Sequence, residues 1–271
     1  MPHLRSKPAK TQVYTPGKRI KDISRMSRNS RERLRHRMLE NNAQIFLFPL
    51  NVVLFPGMML PLHIFEERYK IMIRECLADN RIFGVVLAKN RRAQAPNVGT
   101  LSRADIHSIG TTAHITAIEN LKDGRMNLIT IGQDRFVIRD IHPNTDDLLV
   151  GYVDPFPMQS GENPEMIEFM TQKLRPLLKQ YIEHLGDASG QDLSEAVLPA
   201  DPTGLAFLAG SAMQGSLPDK QKLLSADSVI TLITKTTRVL DREDKILEYM
   251  LRAYRAHQQI ERLPFVDYSL N

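Results

Sequence analysis

A chain of 271 residues, 42% hydrophobic and 25% charged, has the composition of a globular protein with room for one large or two modest domains. Its one cysteine, Cys76, excludes an intrachain disulfide and fits a reducing, cytoplasmic compartment. The net charge of +5 is uneven: residues 1–37 carry 12 Lys and Arg against Asp22 and Glu32, which leaves a mildly acidic body of −5 behind a basic arm.

Residues 1 to about 26 mix Pro, Lys, Ser and Thr with few large apolar groups, a composition that cannot bury enough surface to order itself. Ser30–Asn42 is predicted as a short helix, with Leu34 and Met38 on one side and Arg31, Arg33, Arg35 and Arg37 around the rest. With Arg28, these arginines are candidate contacts for RNA, through counterion release, or for an acidic partner. A solvated tail without special role fits the same residues, as does an organellar transit peptide. A secretory signal does not, because the apolar run starts only at residue 45 and no small-residue cleavage site follows it.

Residues 45–65 contain no Asp, Glu, Lys or Arg. That is long enough for a membrane span, but Pro49, Pro56 and Pro61 interrupt it, and each interior proline costs a helix about 3 kcal/mol. A non-membrane reading is expected instead: a strand over Leu50–Phe55, a turn at Phe55-Pro56-Gly57, and a second short strand over Met58–Leu62 in which Pro61 marks an edge or a bulge. From Phe65 the spacing turns helical through Tyr69, Met72, Ile73, Cys76 and Leu77, with Glu66 and Glu67 placed to complement the helix start.

Ile82–Ala88 reads as a buried strand and residues 89–97 as a polar loop. Gly99–Ile109 and Thr111–Asn120 are predicted strand regions, and Asp123-Gly124 before Met126–Ile131 is a hairpin signal. Arg135–Ile141 and Leu148–Val153 extend an antiparallel series, which suggests a closed or nearly closed β-structure. Pro155, Pro157 and Ser160-Gly161 mark a boundary, after which the period is helical. Helices are expected from Asn163-Pro164 to about Leu185, kinked at Pro176, and from Asp201-Pro202 to about Met213, with one or two turns over Leu193–Leu198. A last long helix runs from Lys220 or Ala226 to Ala256, its apolar face wide enough for a bundle.

No reaction centre emerges. Gly210 and Gly215 have the spacing of a phosphate loop but no lysine follows, no Gly-x-Gly occurs, and Gly210-Ser211-Ala212 lacks the elbow pattern of a nucleophile. His107 and His114 would face opposite sides of one strand, and His63 is expected to hydrogen-bond to backbone rather than bind metal. No catalytic, cofactor or metal residue is assigned, so a non-enzyme is expected.

The run from Ile45 to Tyr69 resembles the opening of the Lon protease amino-terminal, substrate-binding domain. Phe83-Gly-Val-Val86, Val98-Gly-Thr100, Asp123-Gly-Arg125, Gly132-Gln-Asp-Arg-Phe136 and Leu217-Pro218 before Lys220–Leu224 follow in the family's order. The resemblance spans about 45–255 and implies an α+β fold: a PUA-like β pseudo-barrel with one helix over 45–155, then an all-α bundle over 162–257. Residues 1–44 are then a largely disordered arm and 258–271 a tail. It implies a recognition module for unfolded or degron-bearing polypeptides, or an adaptor to a separate protease, without the ATPase and peptidase modules. Phe55, Met58, Met59 and Leu60, an apolar and Met-rich hairpin, are the candidate peptide-binding residues, weighed against the reading that the methionines fill core. The alternative is an RNA-associated protein that uses the barrel and residues 1–37 together.

Overall fold

The computed structural model describes residues 39–78, 82–90 and 101–261, and these have an α+β fold. In chain order the elements are β1 (Ala43–Leu50), β2 (Met59–Ile64), α1 (Glu67–Ala78), β3 (Phe83–Leu87), β4 (Ile109–Asn120), β5 (Met126–Pro143), β6 (Leu149–Pro155), α2 (Pro164–Ser189), α3 (Pro202–Ala212), α4 (Leu217–Leu224) and α5 (Val229–Glu261). Leu39, ahead of β1, is buried with Ile45, Leu47, Phe136 and Val153, so the packed body begins before the expected boundary at residue 44.

The strands close into a ring. Following hydrogen-bonded neighbours gives β5-β4-β3-β1-β6, and β6 pairs back onto β5. β5 makes the closure possible through its length: Met126–Ile131 pairs with β2, and Phe136–Pro143 pairs with β6. Bulges at Thr111/Ala113, Ile115/Ala117 and Ile138/Asp140 supply the bending that a closed sheet needs. β2 lies outside the ring as an edge strand on β5.

Several expectations need correction. The first strand is Ala43–Leu50, not Leu50–Phe55, and it pairs in parallel with β3 and antiparallel with β6, so the sheet is mixed. β2 pairs with β5 and not with the preceding run. Val53, Leu54 and Phe55 are buried as irregular chain, which is tolerated because partners satisfy its polar groups. The Thr111 hydroxyl donates to the Leu54 carbonyl at 2.6 Å, for example. The predicted strand over Gly99–Ile109 is reduced, where described, to a single bridge of Ile106 to Ala88. The two strands expected over 126–141 are one continuous β5, and Leu193–Leu198 forms no helix. The last helix is two, α4 and α5, because the main chain leaves helical geometry at Ser225–Ser228.

Helix starts follow local chemistry. Asn163 Oδ1, Asp201 Oδ2 and Ser216 Oγ accept from the backbone N–H of Glu165, Gly204 and Asp219, and a proline opens each helix in its first turn. α2 and α5 run side by side in the same direction: Tyr181 meets Glu243, His184 meets Asp244, and Asp187 meets Arg255. Parallel helix dipoles repel at their ends. The Glu162 carboxylate offsets this by accepting from the Val229 and Ile230 N–H groups at 2.7 and 3.0 Å.

Barrel and bundle share core. Phe55, Val53 and Leu87 belong to the same buried cluster as Leu174, Phe207, Leu232 and Leu240. The Phe55 ring sits 5.9 Å from that of Phe207. Arg135, on β5, is buried and donates to the Leu224 and Ala226 carbonyls at 2.7 and 2.5 Å, which caps the end of α4 from the barrel. Gln221 on α4 donates in return to the Ile109 carbonyl at 2.9 Å.

Candidate recognition surface

The expected hairpin set divides. Phe55 is fully buried and packs on Phe207, and Leu60 points inward beside Ile64 and Leu128. Met58 is half-buried against both cores. Met59 alone of the four stands at the surface, 60% exposed. The correction follows from the pleat: successive side chains of β2 alternate between faces, so Met59, Pro61 and His63 point outward and Leu60 and Ile64 inward. Phe65, expected in the core of the helix, precedes α1 and is 62% exposed. Arg28, Arg31, Arg33, Arg35 and Arg37 lie outside the described residues.

Register assembles an outer face around Met59. Met59 lies opposite Ile131, which lies opposite His114; Pro61 lies opposite Ile129, which lies opposite Ala117. Ile129 is 40% exposed. None of Asn51–Phe65, Met126–Gln133 or Ile109–Ile118 is Asp, Glu, Lys or Arg, so three adjacent strands present an uncharged surface. A hydrophobic face of this kind, rimmed by polar groups, marks an interaction site more often than chance exposure.

The rim lies at the hairpin end. His63 Nδ1 is 2.7 Å from Asn127 Oδ1, and Asn127 donates to Glu119 Oε2 at 3.1 Å. Arg125 Nη1 lies 3.3 Å from His63 Nε2, the arrangement of the Nδ1–H tautomer, so this histidine is held by side chains rather than by backbone as expected. Arg125 also pairs with Asp123 and holds its carboxyl down to about 2. The turn beneath them is the expected one: Gly124 takes φ +78° and donates to the Leu121 carbonyl, while Leu121 donates to Arg125.

Other polar groups have local partners. The Ser211 hydroxyl donates to the Leu208 carbonyl within its own helix, and Glu67 is held below the usual carboxylate range by the hydrogen bond from Lys70. Burial, with Lys89 nearby, lowers the His107 imidazole. Among the described residues no three of His, Cys, Asp and Glu are grouped to hold a metal ion, and no helix is long and apolar enough to cross a membrane. What sequence reasoning missed here is Ile129, Ile131 and Phe65. The signal was present in β5, where Ile129 and Ile131 fill the phase opposite to the buried Met126 and Leu128, a face that would be polar in a strand solvated on one side.

Comparison with known proteins finds the chain similar to Lon N-terminal domains. The family model of the ATP-dependent protease La (LON) substrate-binding domain matches residues 44–242. The Lon protease of Cytophaga hutchinsonii is 25% identical over 216 residues, covering 73% of this chain and 24% of the relative. Lon protease 2 of Syntrophobacter fumaroxidans is 24% identical over 233 residues, 80% of this chain and 28% of the relative. The chain thus spans about a quarter of the length of these curated relatives. Among solved structures, the Lon N-terminal domain protein from Xanthomonas campestris superposes with a TM-score of 0.51 at 22% identity, covering 73% of this chain and 98% of that one. The N-terminal domain of the Mycobacterium avium complex Lon protease does so with a TM-score of 0.55 at 18% identity, covering 75% and 98%.

Proposed function

The chain belongs to the Lon substrate-binding domain family, and from that premise we propose that it is a non-catalytic polypeptide-recognition module that binds unfolded or degron-bearing chains or acts as an adaptor in proteolysis. The observation that carries the reading is the uncharged outer face of β2, β5 and β4, where Met59 and Ile129 stand exposed with Phe65 at the end of β2. Unfolded chains are distinguished from folded ones by accessible apolar side chains and unpaired backbone, and an adaptable methionine among branched residues accepts many shapes.

Burial of apolar surface is insensitive to screening, whereas contact through the basic arm weakens steeply with salt. Fluorescence anisotropy of the full chain with a labelled, permanently unfolded polypeptide therefore tests the reading at low salt and at high salt. Binding should persist at high salt, and the double variant Met59→Lys with Ile129→Lys should weaken it at least about tenfold, since two charges are introduced where the client would exclude water. Absence of binding, or a double variant that binds as tightly as the parent, overturns it.

A further inference from the structure

β2 is the end strand of its sheet, and among the described residues no strand lies on its outer side. The inner side is settled by hydrogen bonds to β5: Gly132 N–H donates to the Met58 carbonyl at 2.9 Å, and the Thr130 hydroxyl donates to the Leu60 carbonyl at 2.9 Å. Antiparallel alternation then turns the main-chain groups of Met59, Pro61 and His63 to the free edge. Pro61 confirms the assignment, because a proline within a sheet belongs where its missing N–H would face outward. Among the described residues no main-chain hydrogen bond of the turns and loops reaches these three. Lysine, a common repellent on exposed edges, is absent from Asn51–Phe65, and on the rim Asp123 pairs with Arg125 while Glu119 accepts from Asn127.

We propose that β2 recognises a client segment by strand addition. An extended, uncharged stretch about as long as β2 hydrogen-bonds through its backbone to Met59, Pro61 and His63, while its outward side chains lie beside Met59 and Pro61 on the apolar face. Charge selects the occupant: a charged residue in the added strand would lose water beside Asn51–Phe65, Ile109–Ile118 and Met126–Gln133, none of which offers it a counter-charge. The inference deepens the polypeptide-recognition reading and rests on it.

Backbone chemistry tests it apart from side-chain affinity. An uncharged octapeptide with alternating apolar residues is titrated against the full chain, unmodified and N-methylated at one or the other alternate set of amides. Only one set can face β2, so methylating that set should weaken binding at least about tenfold and methylating the other less than about twofold. Pro61→Ala gives an independent arm: it restores a donor at the edge and should tighten the unmodified peptide about threefold, although it removes apolar surface. Equal effects of the two methylated sets, or weaker binding to Pro61→Ala, overturn strand addition and leave the recognition reading standing. An unmodified peptide and an unfolded polypeptide that both fail to bind overturn the two together.

Discussion

Arg135 shows how much of this molecule is decided by single residues. Its guanidinium is buried, and burial pushes it down to about 10, with Asp227 acting in the opposite direction, so it remains charged at neutral pH. Taking a charge out of water costs several kcal/mol unless hydrogen bonds replace the hydration. Here the Leu224 and Ala226 carbonyls, the Met158 sulfur at 3.2 Å and the Phe156 face at 4.7 Å do so. Methionine of similar volume would spare the charge but leave two buried carbonyls unpaired, at about 1–3 kcal/mol each. We expect Arg135→Met to destabilise by about 3 kcal/mol, read from the urea midpoint; an unchanged midpoint would mean that the desolvation cost cancels the bonds. Gly132 is decided by space instead. A Cβ there would lie 2.3 Å from the Phe55 carbonyl oxygen, and that oxygen is backbone and cannot swing aside. Gly132→Ala should cost about 2–3 kcal/mol, by the same midpoint, and should weaken peptide binding, since Gly132 anchors the start of β2.

At the scale of elements, α4 and α5 are tied through one carboxylate. Asp219 accepts from Lys222 at 3.0 Å and from Arg242 of α5 at 3.1 Å, and the Ser216 side chain adds a weaker hydrogen bond. Together, Lys222 foremost, they hold the Asp219 carboxyl down to about 2. A carboxylate with a lowered folded pKa stabilises the fold above its unfolded value, and that contribution is lost as pH falls from about 4 to about 2. The side chains are partly exposed, so screening limits the effect to about 1 kcal/mol. Denaturation at stepped pH should show Asp219→Asn less stable than the parent at pH 6, with the gap closing through that window; a gap constant down to pH 2 would count against the pairing. The elements also show where sequence reasoning reaches. Asn163, Asp201 and Gly124 were legible because caps and tight turns are local chemistry. Leu50–Phe55 was misread because burial and β-branching signal a core position without saying whether the backbone pairs. What holds that run is Thr111, 57 residues away, which no periodicity could reveal. Met59 could be read either as surface or as core from the sequence, and Ile129 and Phe65 joined it on one outer face only once register placed three strands side by side.

For the whole molecule the decisive fact is the shared core. Phe55 leaves the barrel, lies against Phe207 and covers Gly210, where an added Cβ would come within 2.9 Å of its ring. The junction lies beside β2, because Gly57 N–H, two residues on from Phe55, bonds the Gly132 carbonyl of β5 at 2.8 Å. Such coupling predicts one cooperative unit rather than two domains that melt apart. Phe55→Ala would empty a site filled from both sides, at about 3–5 kcal/mol. Native-state hydrogen exchange measures the consequence: amides of β4 and amides of α2 should lose the same protection free energy in the variant, since both are reached through the same global opening. If protection fell in the barrel and held in the helices, the junction would be a seam between independent parts.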